Sequence, residues 1–356
     1  MSLDFTFQEP NKLTSRLYEA LKEQPKRIVF ADGEDIRVLR VAAHMVEMEI
    51  GAPILIGQRQ KIHSMAEEAE ISMNFINVIE PATSSDLPLF CSRLEKISRF
   101  QNKVIANPEE LMSRPHNFAC MMVQYGHADG MVAGNKSLPS SVFRAAMTMI
   151  HPLKNVPQVF GMMILVAPHL PNFGPDGVLF LADCGVIPDP DIQQLASIAV
   201  ETGKLAYHFI GRTPHIAMLS HSTKGSASTP SAKKMLAAKE QASTLASHMN
   251  INLIIEGEIQ ADVALVPEAS DIKRPGSTNN KPPADVLVFP NLDAGNISLK
   301  LLQHVGGAQN YGQLIMGLAR PTAQVPRTVT EETLLGTAAI VGNEAIKFNE
   351  LFMQEN

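Results

Sequence analysis

The chain has 356 residues, with 30 basic against 36 acidic side chains, a formal charge of −6 and 45% hydrophobic residues. That length and apolar share point to two domains around a substantial core and exclude a disordered chain. With no long basic run, nucleic acid is excluded as the expected partner. The cysteines (Cys91, Cys120, Cys184) are too few and too scattered for a disulfide scaffold or a zinc site, so reduced thiols in the cytoplasm are expected. The longest apolar segment, residues 160–167, is far short of the roughly 20 residues a membrane-spanning helix needs. The opening M-S-L-D-F-T-F lacks the basic and apolar regions of a signal peptide, and Met1–Leu3 reads as an appended leader.

In chain order, Leu13, Leu17 and Leu21 predict an amphipathic helix. Residues 27–31 predict a strand, and Asp32-Gly33-Glu34-Asp35 a turn. Residues 36–49 predict a helix capped by Asp35 and closed by Gly51, followed by a strand over 52–56. This β-α-β unit implies a parallel sheet. A strand is expected over 75–79, then helices over 87–99, from Pro108 to Met112, and over 116–124. A strand over 131–133 leads into a helix capped by Ser140 or Ser141 and running through Ile150. Composition alone places a boundary near 151–157. Residues 160–167 and 178–181 are apolar runs joined by a Pro- and Gly-rich segment, which predicts an antiparallel hairpin. Helices over 191–203 and 232–249 flank a strand over 215–219. Strands over 253–256 and 286–289 follow, with 262–266 ambiguous and 271–285 a Pro-, Gly- and Asn-rich loop. The tail, 331–351, is helical with a break at Gly342-Asn343.

Two polar loops follow strands. Ser220-His221-Ser222-Thr223-Lys224-Gly225-Ser226 is either an anion cradle or a plain strand-to-helix loop, and it is not a Walker loop. Gly134-Asn135-Lys136-Ser137, with Ser140, Ser141 and Arg144, either binds a phosphate at a helix start or simply caps that helix. Cys184 lacks an evident activating histidine and reads as structural. The histidines show no metal-ligand spacing, and only His221 lies in a candidate loop.

Taken together, E-D-I-R-V-L (34–39), A-D-G (128–130), L-A-D (181–183), M-L-S-H-S-T-K-G-S-A (218–227), E-G-E-I-Q (256–260) and A-G-N-I (294–297) resemble the phosphate acetyltransferases, over nearly the whole chain. The resemblance implies an α/β fold of two domains flanking a cleft, similar to isocitrate and isopropylmalate dehydrogenases, assembled as homodimers or higher oligomers. It places the first domain at 1–153 plus 317–356 and the second at 154–316. It implies acetyl-CoA or coenzyme A, and acetyl phosphate, as ligands, with no further cofactor or metal. Ligand-binding residues carried over are Arg37, Arg144, Ser220, Ser222, Lys224, Gly225, Asn296 and Arg327.

Active members carry L-S-R-G, then an acidic residue seven positions after the serine. Here the serine position is Pro326, the arginine is Arg327 and the base position is Thr333. Attack on acetyl phosphate needs a thiolate, and proline offers neither a hydroxyl nor a backbone donor. Glu332 is one residue away, turned by about 100° on a helix. G-E-D-x-R-V-L-R and N-L-D-A-x-N-I resemble the phosphotransacetylase-like domain that follows the malic enzyme half in bacterial NADP-dependent malic enzymes. The first expectation is therefore a catalytically impaired regulatory and oligomerisation domain that binds acetyl-CoA and is preceded in the natural chain by a malic enzyme half. The alternative is a working phosphate acetyltransferase or related acyltransferase with Glu331 or Glu332 as base. A ligand-free oligomerisation module is the third reading.

Overall fold

The computed structural model describes residues 7, 9–100, 105–153, 156–170, 173–273 and 282–354. The chain opens with α1 (Lys12–Glu23), β1 (Lys26–Phe30), α2 (Ile36–Glu47), β2 (Gly51–Ile56), α3 (Arg59–Glu68) and β3 (Asn77–Ile79). Next come α4 (Leu87–Phe100), α5 (Pro108–Met112), α6 (Pro115–Gln124), β4 (Gly130–Ala133) and α7 (Pro139–Met149). The middle holds β5 (Phe160–Val166), β6 (Val178–Ala182), α8 (Ile192–Ile210), β7 (His215–Leu219), α9 (Pro230–His248) and β8 (Ile254–Ile259). Then follow α10 (Ala261–Leu265), α11 (Pro267–Lys273), β9 (Val286–Val288), α12 (Leu292–His304), β10 (Gln309–Met316), β11 (Thr322–Gln324) and α13 (Glu331–Gln354).

These elements form two compact units: Met1–Leu153 with Leu318–Asn356, and Lys154–Gly317. In the first unit the strand order is β3-β2-β1-β4-β11, with every neighbouring pair parallel. Helices α6 and α13 both pack on β1 and β4. Strands covered in this way read as continuous apolar runs, as Ile28-Val29-Phe30 and Met131-Val132-Ala133 do. In the second unit the order is β10-β5-β6-β9-β7-β8. The β10–β5 and β5–β6 pairs are antiparallel and the rest parallel. Its core gathers Leu165, Leu179, Leu181, Cys184, Ala217, Leu287 and Phe289. Burying each large apolar side chain contributes about 1.5–3 kcal/mol. Among the described residues, no helix is long and apolar enough to cross a membrane.

Several expectations are met. Asp35 caps α2 by accepting from Arg37 N, and β5 and β6 form the antiparallel hairpin. Others are corrected. Gly51 does not close α2, because Glu49 makes that turn with φ of 59° and Gly51 opens β2. Neither Ser140 nor Ser141 caps α7. Leu138 is its N-cap, and Pro139 fills the first position, where the missing N–H costs nothing. The tail helix does not break at Gly342-Asn343. A Cβ on Gly342 would meet Leu21 at 2.9 Å, so the glycine admits α1 against α13. Asn343 Nδ2 donates to Leu17 O and Ala339 O. The ambiguous stretch near 262–266 is α10, and the loop expected from 271 starts as the end of α11. Residues 274–281 of that loop, and the expected leader Met1–Leu3, lie outside the described residues.

Candidate functional site

At the carboxyl ends of β1, β4 and β11, three segments of the first unit are held together by carboxylates and one guanidinium. Asp32 follows β1 and accepts from Gly134 N at 2.7 Å and Ser137 Oγ at 2.6 Å, and His116 Nε2 stands 3.5 Å away. Burial alone would raise its pKa, but His116, Ser137 and Gly134 together hold it below the usual carboxylate value. Asp35 is likewise pushed up by burial and pulled below its ordinary value by Arg37 and Asn135. Asn135 Nδ2 donates to Asp35 at 3.0 Å, and Lys136 Nζ to Glu34 O at 2.9 Å. The Gly134–Ser137 segment is therefore locked to the Asp32–Asp35 turn, and its lysine is engaged.

Arg37 completes the lock. Its Nε and Nη2 bond the two oxygens of Asp35 at 3.1 and 2.7 Å, and Nη2 also reaches Asn135 O at 3.0 Å. Its Nη1 donates to Arg327 O at 3.0 Å and Val329 O at 2.8 Å. The turn after β11 is closed by Val329 N to Pro326 O at 3.0 Å. Arg327 and Arg144 are exposed, and their guanidiniums have no partner among the described residues. Thr333 is not free. Its hydroxyl and N–H exchange hydrogen bonds with Thr330 at the start of α13. Glu331 pairs with Arg40 at 3.2 Å, while Glu332 in the same first turn has no partner among the described residues.

In the second unit the loop after β7 is closed upon itself. Glu258 on β8 is 1% exposed. Its Oε1 accepts from Ser222 Oγ at 2.9 Å and Gly225 N at 2.7 Å, whereas its Oε2 is buried without a partner among the described residues. Lys224 N donates to Glu258 O, Thr223 N to Ser226 Oγ, Ala227 N to Ser222 Oγ and Ser222 N to Ser220 Oγ. The amides that would cradle an anion already serve internal acceptors, one of them a carboxylate. Lys224 alone presents an exposed cation there, with no partner among the described residues.

The loop after β6 is built on Asp183. Its Oδ1 accepts from Gly161 N at 3.2 Å, Gly185 N at 2.8 Å and Val186 N at 3.1 Å, and Oδ2 from Ile187 N at 2.7 Å. Asn296 Nδ2 donates to Cys184 O at 3.1 Å. A Cβ on Gly295 would meet Asp183 O at 2.3 Å, so A-G-N-I is the close approach of α12 to this loop. Burial, and then the Asp183 charge, push the Cys184 thiol well above its ordinary pKa, which removes it as a nucleophile.

Of the residues expected at the site, Arg37, Arg144 and Arg327 belong to the first unit and Ser220, Ser222, Lys224, Gly225 and Asn296 to the second. Reading the sequence missed Asp32, His116 and Glu258. The D-G-E-D turn was the available signal for Asp32, while Glu258 meets Ser222 from 36 residues away.

The chain matches the profile described as phosphate acetyl/butaryl transferase over residues 12–342. The chain belongs to the phosphate acetyl/butaryl transferase family. A phosphate acetyltransferase of Acetivibrio thermocellus is 33% identical over 330 residues, covering 93% of this chain and 97% of the relative. One of Staphylococcus aureus is 33% identical over 336 residues, covering 94% and 99%. Among solved structures, EutD phosphotransacetylase from Staphylococcus aureus superposes with a TM-score of 0.82 at 32% identity, covering 93% and 99%. A phosphotransacetylase from Streptococcus pyogenes gives 0.83 at 30%, covering 94% and 99%. A 4-hydroxythreonine-4-phosphate dehydrogenase from Burkholderia phymatum shares the fold alone, with a TM-score of 0.52 at 15% identity.

Family membership overturns the malic enzyme reading. Relatives matched along 97–99% of their length are named phosphate acetyltransferase. In this chain the motifs behind that reading have structural roles. In G-E-D-x-R, Asp35 caps a helix and Arg37 binds backbone. In N-L-D-A-x-N-I, Gly295 and Asn296 pack the Asp183 loop.

Proposed function

We propose that the protein is a phosphate acetyltransferase, moving an acetyl group between acetyl phosphate and coenzyme A. The observation that carries this reading is Arg327. It stands where the family resemblance puts the arginine of the L-S-R-G turn, on a backbone that is fixed while its own guanidinium is exposed and unpartnered among the described residues. The names of the full-length relatives support the same reaction.

In the forward step the coenzyme A sulfur bonds the acetyl carbon, the carbon–oxygen bond to phosphate breaks, and the thiol proton must leave. Negative charge grows on the carbonyl oxygen and on the departing phosphate. Arg327 and Arg144 are the cations assigned to that charge. Pro326 carries no donor, and Thr333 is engaged as a cap. Glu331 is paired with Arg40. That leaves Glu332 as the base. The homodimer implied by family resemblance belongs to this proposal, as do Lys224 and Asn296 as ligand contacts.

A coupled assay with acetyl phosphate and coenzyme A tests it. Wild-type turnover is expected in the ordinary range of about 1–1000 per second. Glu332→Gln should lower kcat about 10²- to 10⁴-fold, the usual value of a general base. Glu331→Gln should do far less. No turnover by the wild type rejects the reaction, and full activity in Glu332→Gln rejects the base.

A further inference from the structure

An arginine side chain has five N–H donors in a fixed planar fork. In Arg37 all five are committed inside the protein. Two go to the Asp35 carboxylate, one to Asn135 O, and one each to Arg327 O and Val329 O. The acceptors lie in three strand-end segments, 98 and about 290 residues from Arg37 in sequence. Two of them, Arg327 O and Val329 O, flank Thr328, so the backbone is gripped on both sides of that residue. The grip is itself anchored. Asp35 accepts from Arg37 N and from Asn135 Nδ2, and Asn135 is 3% exposed. The Asp35 carboxylate also neutralises the Arg37 charge at 2.7 Å. To hold a phosphate, Arg37 would have to abandon a buried carbonyl or that carboxylate.

We propose that Arg37 is a positioning residue for the transfer reaction: it sets the backbone from which Arg327 projects, and acts through Arg327 rather than by touching coenzyme A. This rests on the phosphate acetyltransferase reading for the reaction, but not for the brace itself. The physical basis is placement. A reacting group displaced by about 1 Å loses on the order of 100-fold in rate, and the turn has no other side chain among the described residues bonding the Arg327 and Val329 carbonyls.

The test uses Arg37→Lys, which keeps the charge but puts three donors on one nitrogen, unable to span four acceptor groups. Three results are expected. First, kcat falls about 100-fold while the KM for coenzyme A stays within about threefold. Second, adding Arg37→Lys to Arg327→Gln costs less than about twofold more, because the two act as one unit. Third, amide hydrogen exchange in the 326–331 peptide accelerates. A coenzyme A ligand would behave oppositely: KM rises, kcat holds, the two substitutions combine additively, and exchange in 326–331 does not change. That pattern overturns the proposal, as does a lowered melting temperature with unchanged kcat. If Arg37→Lys fails to fold, Asp35→Asn weakens the same grip from its other side and should show the same non-additivity with Arg327→Gln. Absence of turnover in the wild type would defeat the reaction, and unchanged exchange would defeat the brace, so the two failures are separable.

Discussion

Replacing Asp183 by asparagine removes one acceptor atom at nearly constant shape. The carboxylate takes four backbone N–H groups, three on Oδ1 and one on Oδ2. In its better orientation the asparagine oxygen keeps the trio, and its NH₂ then faces Ile187 N–H, donor against donor. One hydrogen bond to a charged group is lost, worth about 1.5–3 kcal/mol, and a buried N–H is stranded for about 1–3 more. Against this, burial raises the Asp183 pKa, so the ionised acid carries a desolvation cost that asparagine does not. The balance is about 3 kcal/mol of destabilisation. Urea unfolding by far-UV circular dichroism measures it in the transition of the second unit, and hydrogen exchange over 183–188 reports it locally. The damage should reach A-G-N-I, because Asn296 hangs on Cys184 O and Gly295 abuts Asp183 O. A loss below about 0.5 kcal/mol, the level of an ordinary surface substitution, would refute the four-way acceptor.

Glu258→Gln should change stability by less than about 0.5 kcal/mol, because the side-chain oxygen can replace Oε1 and the position of Oε2 asks for no acceptor. Glu258→Ala strands Gly225 N and takes the carboxylate from Ser222 Oγ, which keeps Ser226 Oγ as a partner, and should cost about 2–4 kcal/mol in the same urea experiment; equal losses in the two variants would show that the carboxylate charge matters. Asp32 and Asp35 have folded pKa values below the ordinary 3.8, so their stabilisation is present above that value and disappears as pH falls through the lowered folded values. The melting temperature should drop as pH is lowered below about 4, with a shallower drop in Asp35→Asn; an equally steep acid limb in that variant would contradict the shift.

What the sequence made legible was local. The β5–β6 hairpin could be read because Pro and Gly crowd the join between two apolar runs, and the Asp35 cap because a cap acts within one turn. Strands β10 and β11 went unread because glycines interrupt that stretch, and their place is settled by partners far away in the chain. The same holds for the site. Ser220–Ser226 has the composition of an anion cradle, yet two of its donors, Ser222 Oγ and Gly225 N, are taken by an acid 36 and 33 residues on. Arg37 has the composition of a ligand arginine, yet Arg327 O, 290 residues away, takes one of its protons. Residue types advertise hydrogen-bonding capacity. Only the fold decides whether that capacity is left over for a ligand.

The turn that carries Arg327 makes the division of labour testable. Pro326 O accepts from Val329 N, Val325 N donates to Ala133 O, and Arg37 takes the Arg327 and Val329 carbonyls. Pro326 itself donates nothing. A turn so fixed and so poor in donors offers charge through its arginine but no proton acceptor, and the proposed reaction assigns that task to Glu332. The two tasks respond differently to pH. With Glu332→Gln the reaction depends on coenzyme A thiolate formed in solution, and free thiols ionise near 8.5. Its deficit should therefore shrink about tenfold per pH unit below that value. The deficit of Arg327→Gln should persist, because no solvent proton transfer replaces a missing cation at the carbonyl oxygen. Parallel pH profiles for the two variants would mean that Glu332 contributes charge or structure instead, and that the thiol loses its proton elsewhere.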